Sequence, residues 1–211
     1  PPFASTWDTR SASPGQHTVA ARAADAAGNI GTSPPVAVTV DNSGPTPALI
    51  TIDAMVNARG SGTLAAPGLT TPNSDDLIVA FVSHGGPSAP SSQSSAVTGG
   101  GLSWTLVKRS NTQAGVSEIW EAKATGKLTN AVVTATPLVN GYSGMLTVIA
   151  YANASGTGVA AASGAPGGAP DIYLPGVSPG SWCFAAGNDV DQAVARTPVA
   201  GQVIQQEWLD I

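Results

Sequence analysis

Charge is the scarcest property of this chain. Only 10% of its 211 residues are Asp, Glu, Lys or Arg, against about 25% in an ordinary soluble domain. Eight basic residues against thirteen acidic ones leave a net charge of −5. No basic stripe exists to neutralise phosphates, so nucleic acid is excluded as a partner. A single cysteine, Cys183, excludes an internal disulfide framework. Flanked by Trp182 and Phe184, it reads as a small buried hydrophobe rather than a nucleophile. The two histidines, His17 and His84, sit in no catalytic or zinc motif. No apolar run approaches the roughly 18–20 residues that span a bilayer, so no membrane segment is expected. No signal peptide is visible either, because the chain opens Pro1-Pro2-Phe3 without an initiator Met or a basic stretch. Its last residues, Trp208 to Ile211, form a strand-like run. Both ends therefore read as cuts through a longer modular protein, and the missing signal says nothing about export.

What is abundant fills in the class. The 25 Gly and 17 Pro, together with Ser and Thr, punctuate the chain every few residues and exclude long helices. A hydrophobic share of 42% excludes a disordered polar tail. The expectation is an all-β protein of secreted character.

Residues 1–42 behave as one unit. Thr18, Ala20 and Arg22 alternate with Val19, Ala21 and Ala23, the period of a half-buried strand. Asp25-Ala26-Ala27-Gly28-Asn29 supplies turn chemistry, and Val36, Val38 and Val40 mark a second strand. The features Trp7-Asp8-Thr9, Gly15 to Val19, Asp25 to Asn29, Ser33 and Val36 to Val40 resemble the C-terminal half of a bacterial immunoglobulin-like repeat. Such repeats are stacked in exported surface proteins, adhesins and polysaccharide-acting enzymes. The resemblance implies that earlier strands of the repeat are missing. It also implies that Asp25, Asn29 and Asp41 mark a junction where related repeats sometimes hold calcium, although Asp25 alone reads as an Asx-turn acid. Residues 43–47 are a linker by composition.

Residues 48–211 form the larger unit, about 160 residues and long enough to bury most of a sizeable core. Leu49 to Ile52 reads as a short strand. Leu77 to Val82 is a continuous apolar run whose length and β-branching predict a buried central strand. Ser103 to Arg109 and Val116 to Ala122 predict a β-hairpin, and Ala131 to Thr136 and Met145 to Tyr151 two further strands. In the last of these, Leu146, Val148 and Ala150 face one way and Met145, Thr147, Ile149 and Tyr151 the other. Gly156 to Pro170 reads as a loop or a poorly paired edge. Ile172 to Leu174, Ser181 to Ala186 and Gln202 to Leu209 complete about nine or ten short strands, a β-sandwich of jelly-roll-like kind. The segments Gly99 to Ala124 and Gly187 to Gln202 resemble a module that recurs in secreted, multidomain bacterial proteins, often beside immunoglobulin-like repeats. That module has no settled activity, and in its pattern further strands follow position 211.

Three groups of residues are candidates for chemistry. Asn188, Asp189 and Asp191 place an amide and two carboxylates in one loop. That set can hold a hard cation such as calcium through oxygen ligands, or it is a turn in which Arg196 pairs with an Asp. No other cofactor is called for. Asp75-Asp76 reads as a strand-entry signal whose two side chains face opposite ways. Five Trp among few aromatics suit a surface that stacks on sugar rings. Trp104 shares a face with Leu106, and Trp182 with Phe184, so these read as core. Trp120 and Tyr142 are the aromatics best placed for a ligand. Glu118 and Glu121 point to opposite faces, so they form no acid–base couple.

The expected function is a non-catalytic, secreted or cell-surface structural or adhesive module of a larger protein. The alternative is a carbohydrate-binding module attached to a polysaccharide-acting enzyme. The partners implied are neighbouring domains of the same chain and a polysaccharide or cell-surface glycan.

Overall fold

The computed structural model describes residues 6–42 and 48–210. The linker read at 43–47 lies outside the described residues. Among those residues the one helix is a 3₁₀ turn at Thr9–Ser11, and every other regular element is a strand. No helix there is long and apolar enough to cross a membrane. The protein is all-β. It divides into two compact units, Pro1–Ala48 and Leu49–Ile211.

The smaller unit contains β1 (Gly15–Val19), β2 (Arg22–Ala24), β3 (Ile30–Thr32) and β4 (Val36–Val40). β1 pairs with β4 and β2 with β3, both antiparallel, as two separate two-stranded sheets. The alternation read through residues 18–23 is interrupted after Val19. There the Ala21 amide bonds the Ser33 hydroxyl at 2.9 Å and the Ser33 amide returns to the Ala21 carbonyl at 2.8 Å. Asp25 builds the β2–β3 turn: its Oδ1 accepts from the Ala27 and Asn29 amides at 2.9 Å, and its Oδ2 from the Asn29 side chain at 2.8 Å. These bonds, the Asn29 side chain first, hold its carboxyl below the ordinary range. Val40 is the one buried hydrophobic residue among the described residues of this unit. The half-buried face that the alternation predicts, through Thr18 to Ala23, is exposed, and among the described residues of this unit no second layer covers it.

The larger unit is a β-sandwich. Its strands are β5 (Thr51–Ser61), β6 (Leu64–Leu69), β7 (Leu77–His84), β8 (Ser95–Gly99), β9 (Thr105–Ser110), β10 (Val116–Lys123), β11 (Ala131–Pro137) and β12 (Ser143–Ala152). One sheet has the order β5-β12-β7-β10-β9, the other β6-β11-β8. The apolar run of β7 is central, between β12 and β10, and is covered on both faces. Ile78, Ala80 and Val82 meet Leu146, Val148 and Ala150 of β12 and, from the opposite sheet, Leu64, Leu69, Val97, Val133 and Ala135. On the outer face Leu77 and Val79 join Ile149 and Tyr151 in a second apolar cluster, with Phe81 and Ile119 packed against it.

The described part of this unit has eight strands, not nine or ten. Most of β5, with β6 and β8, goes beyond the sequence reading, and the strands expected at 172–174, 181–186 and 202–209 are absent. Alternation alone does not make a strand; a neighbouring ladder must accept its backbone. Residues 155–210 attach through side chains instead. Phe184 stacks on Tyr151 at 4.8 Å and on Phe81 at 5.8 Å, and Trp182 meets Tyr151 edge-on at 6.2 Å. Trp182 is nonetheless 47% exposed and Phe184 36%, so they cap the outer cluster rather than forming core. Cys183 is exposed rather than buried.

Candidate functional site

The strongest concentration of polar side chains lies where β7 ends, at His84. Glu118 of β10 sits opposite Val82 of β7 and Arg109 of β9. This register turns its carboxylate into the space between the sheets, where it is fully buried. A buried charge is tolerated only when it is well paired, and three donors converge on it. Arg109 Nε lies 2.5 Å and the Ser95 amide 3.0 Å from Oε1, and Trp120 Nε1 lies 2.8 Å from Oε2. His84 is 0% exposed. Its Nε2 lies 3.2 Å from the Gly62 carbonyl, which can only accept, so Nε2 carries the proton. Nδ1 therefore accepts from the Ser95 hydroxyl at 3.0 Å. Burial pushes the imidazole pKa down, while the Gly62 carbonyl and Glu118 act in the opposite sense. Gln93 closes the cluster: its side chain bonds the Gly85 and Val139 carbonyls at 3.0 and 2.9 Å and the Val139 amide at 3.0 Å.

A serine hydroxyl donating to an imidazole is the first element of a nucleophile–base pair. Here both groups are buried, and Glu118 bonds the Ser95 amide rather than the imidazole. The group that holds the other ring nitrogen is the Gly62 carbonyl rather than a carboxylate. These bonds tie β7 to β8 and to the β5–β6 turn.

The residues singled out from sequence stand around this end. Trp120 is half-buried, packed against the inter-sheet core with its indole N–H on Glu118. Tyr142, 36% exposed, borders Gly85. Asn188 donates to the His84 carbonyl at 2.9 Å. Asp189 serves its own turn, with Oδ1 3.0 Å from the Asp191 amide and 3.4 Å from the Gln192 amide, and its other oxygen pairs with Arg196. The Asp191 amide is the first cause that holds its carboxyl below the ordinary range. Asn188 and Asp189 are thus engaged with different partners. Among the described residues no group of three or more His, Cys, Asp or Glu is placed to hold a metal ion.

A second polar cluster lies at the start of β7. Asp75 and Asp76 part ways there: Asp75 is exposed in a left-handed conformation, with φ 64°, and Asp76 is 0% exposed. Neither carboxyl oxygen of Asp76 accepts from an N–H or hydroxyl donor. Burial first, and the adjacent Asp53 second, push its pKa up to about 6. Asp53 is held by Asn73, whose side chain lies 2.8 Å from Oδ1 and whose amide lies 3.2 Å from Oδ2. The Lys123 ammonium donates to the Asp75 carbonyl and, at 3.2 Å, to the Ala154 carbonyl.

Sequence reasoning missed Asp53, the Arg109–Glu118 pair and the His84–Ser95 bond. Of these, only the ion pair had a readable signal, since the register of a β9–β10 hairpin sets Arg109 against Glu118. None of the known protein-family models, curated protein sequences or solved structures matches the chain.

Proposed function

We propose that the chain is a non-catalytic structural or adhesive module of a larger secreted or cell-surface protein. The observation that carries this reading is the fate of the reactive side chains. Ser95, His84 and Glu118, which could supply a nucleophile, a base and an acid, are all buried and bonded to one another or to backbone. Their bonds link β7 to β8 and to the β5–β6 turn, which is what a stiff spacer or adhesive unit requires. The secreted setting rests on composition and on the resemblance of residues 1–42 to an immunoglobulin-like repeat.

One observation favours the second reading, a carbohydrate-binding module attached to a polysaccharide-acting enzyme. Trp182 and Phe184 form a half-exposed aromatic cap on the outer face of the five-stranded sheet. Exposed aromatic rings are the surfaces on which sugar rings stack. A glycan array screened with and without calcium decides between the two. The structural reading expects no binding across a broad panel. Binding that disappears in Trp182→Ala, or in Trp120→Phe and Tyr142→Ala, replaces it with the carbohydrate-binding one.

A further inference from the structure

We propose that residues 155–210 form a releasable strap, which leaves the outer face of the five-stranded sheet while the sandwich beneath it stays folded. The strap reaches every strand of that sheet. Thr157 bonds the Glu121 carboxylate of β10 through its amide at 3.1 Å and its hydroxyl at 2.7 Å. The Ser110 hydroxyl of β9 donates to the Ser163 carbonyl at 2.7 Å. Phe184 lies against Phe81 of β7 and Tyr151 of β12, and Asn188 holds the His84 carbonyl where β7 ends. The Arg59 guanidinium of β5 stands over the Trp208 ring at 5.9 Å. Each of these contacts uses a side chain. Among the described residues the strap's backbone–backbone hydrogen bonds close within the strap itself, as from Ser181 to Ser178 and from Val194 to Gln192. The strap is therefore held at separate points, and its departure breaks no ladder of the sandwich.

The surface beneath fits this cover incompletely. Leu77, Val79, Ile149 and Tyr151 are buried there, and so is Thr147, which lies opposite Phe81 in the register of β12 and β7. Thr147 Oγ1 and Tyr151 Oη have no hydrogen-bond partner among the described residues. A hydroxyl buried without a partner loses its bonds to water and gains none. Release of the strap returns both hydroxyls to solvent, which offsets part of the apolar contact that is lost. The inner face of β12 has no such offset. Leu146, Val148 and Ala150 are apolar and meet the opposite sheet. The two faces of one strand thus differ in how readily they open. The aromatic cap adds to the difference, because Trp182 and Phe184 are themselves half in solvent. Once released, the strap uncovers a continuous apolar face of Leu77, Val79, Phe81, Ile149 and Tyr151.

The test uses the full chain with Cys183→Ser and one reporter thiol on β7. Val79→Cys places the thiol under the strap, and Val82→Cys places it between the sheets. An aromatic disulfide reagent reaches either thiol only when its face opens. Without denaturant, the Val79→Cys thiol is expected to react at least about a hundredfold faster than the Val82→Cys thiol. Its rate is also expected to depend only weakly on urea, because releasing a strap exposes less surface than unfolding the sandwich. Phe184→Ala is expected to raise the rate at position 79 about tenfold. Tyr151→Phe removes a hydroxyl that closure leaves unpaired, so it is expected to lower that rate about tenfold. If Val79→Cys does not fold, the nearly isosteric Thr147→Cys supplies the reporter on the same face. The proposal is overturned if the two positions react at one rate with one urea dependence, if Phe184→Ala leaves the outer rate unchanged, or if Tyr151→Phe does not lower it.

Discussion

Gly144 of β12 lies against the imidazole of His84. A Cβ built there would stand 2.6 Å from the Ser83 carbonyl oxygen and 2.8 Å from His84 Nε2. The carbonyl belongs to the central strand and cannot yield, and the imidazole is held at both nitrogens. Gly144→Ala is therefore expected to destabilise the sandwich by about 3 kcal/mol, the upper part of the range for overpacking a core. A shift in the urea midpoint with the slope unchanged measures it. A neutral substitution would mean that the His84 end is loose. Nothing in the residues around Gly144 announces this constraint, because it arises between β7 and β12, about sixty positions apart in the chain. Asp76 is similar. The sequence places it at a strand entry, but only the arrival of β5 brings Asp53 beside it. The division of Glu118 and Glu121 between two faces was legible, since it follows from strand period alone. Glu118 is buried, and Glu121 bonds Thr157 on the outer face.

At the scale of elements, β7 was the most readable part of the chain. A run of six apolar residues without alternation describes a strand covered on both faces, and β7 is the middle strand of five. β5 and β6 were harder to read. β5 is exposed or half-buried along its length, and Gly68 interrupts β6, so neither shows a clean apolar face in sequence. The strands expected after Ala152 had the alternation but no ladder to join. The end of β7 also carries the pH dependence that ties the two sheets together. His84 is neutral and buried, with its pKa pushed down from the ordinary 6.5 by loss of solvent. The unfolded chain takes up a proton on this ring as pH falls through about 6.5, and the folded chain resists it. Its contribution is therefore complete above that value and lost as pH falls below it. Asp76, with its raised pKa, pulls in the opposite direction, so the difference between wild type and His84→Gln isolates the imidazole. That stability gap is expected to narrow from pH 8 to pH 5 in urea titrations. A constant gap would show that proton uptake at His84 is not linked to unfolding.

The whole molecule is unequal in its distribution of buried surface. Residues 49–211 contain the two-sided core around β7 and β12, whereas among residues 6–42 a single hydrophobic side chain is buried. Trp7, Val19, Ile30 and Val36 stay largely exposed there. The smaller unit's order comes from a few hydrogen-bonded devices: the Asx turn at Asp25, the Asn42 side chain bonding the Thr9 and Ala12 carbonyls at 2.8 and 2.9 Å, and two short ladders. Local hydrogen bonds each contribute only about 1 kcal/mol net, while ordering each backbone residue costs about 1–2 kcal/mol. Two isolated pairs of strands are at best marginally stable in water. Among the described residues each of β1 to β4 pairs along one edge alone, which leaves its other edge open to a further strand. Expressed separately, residues 49–211 are expected to unfold in one cooperative thermal transition, and residues 1–48 to show none, with collapsed amide dispersion in a two-dimensional NMR spectrum. A sharp transition in the 1–48 fragment would mean that turn chemistry alone holds it.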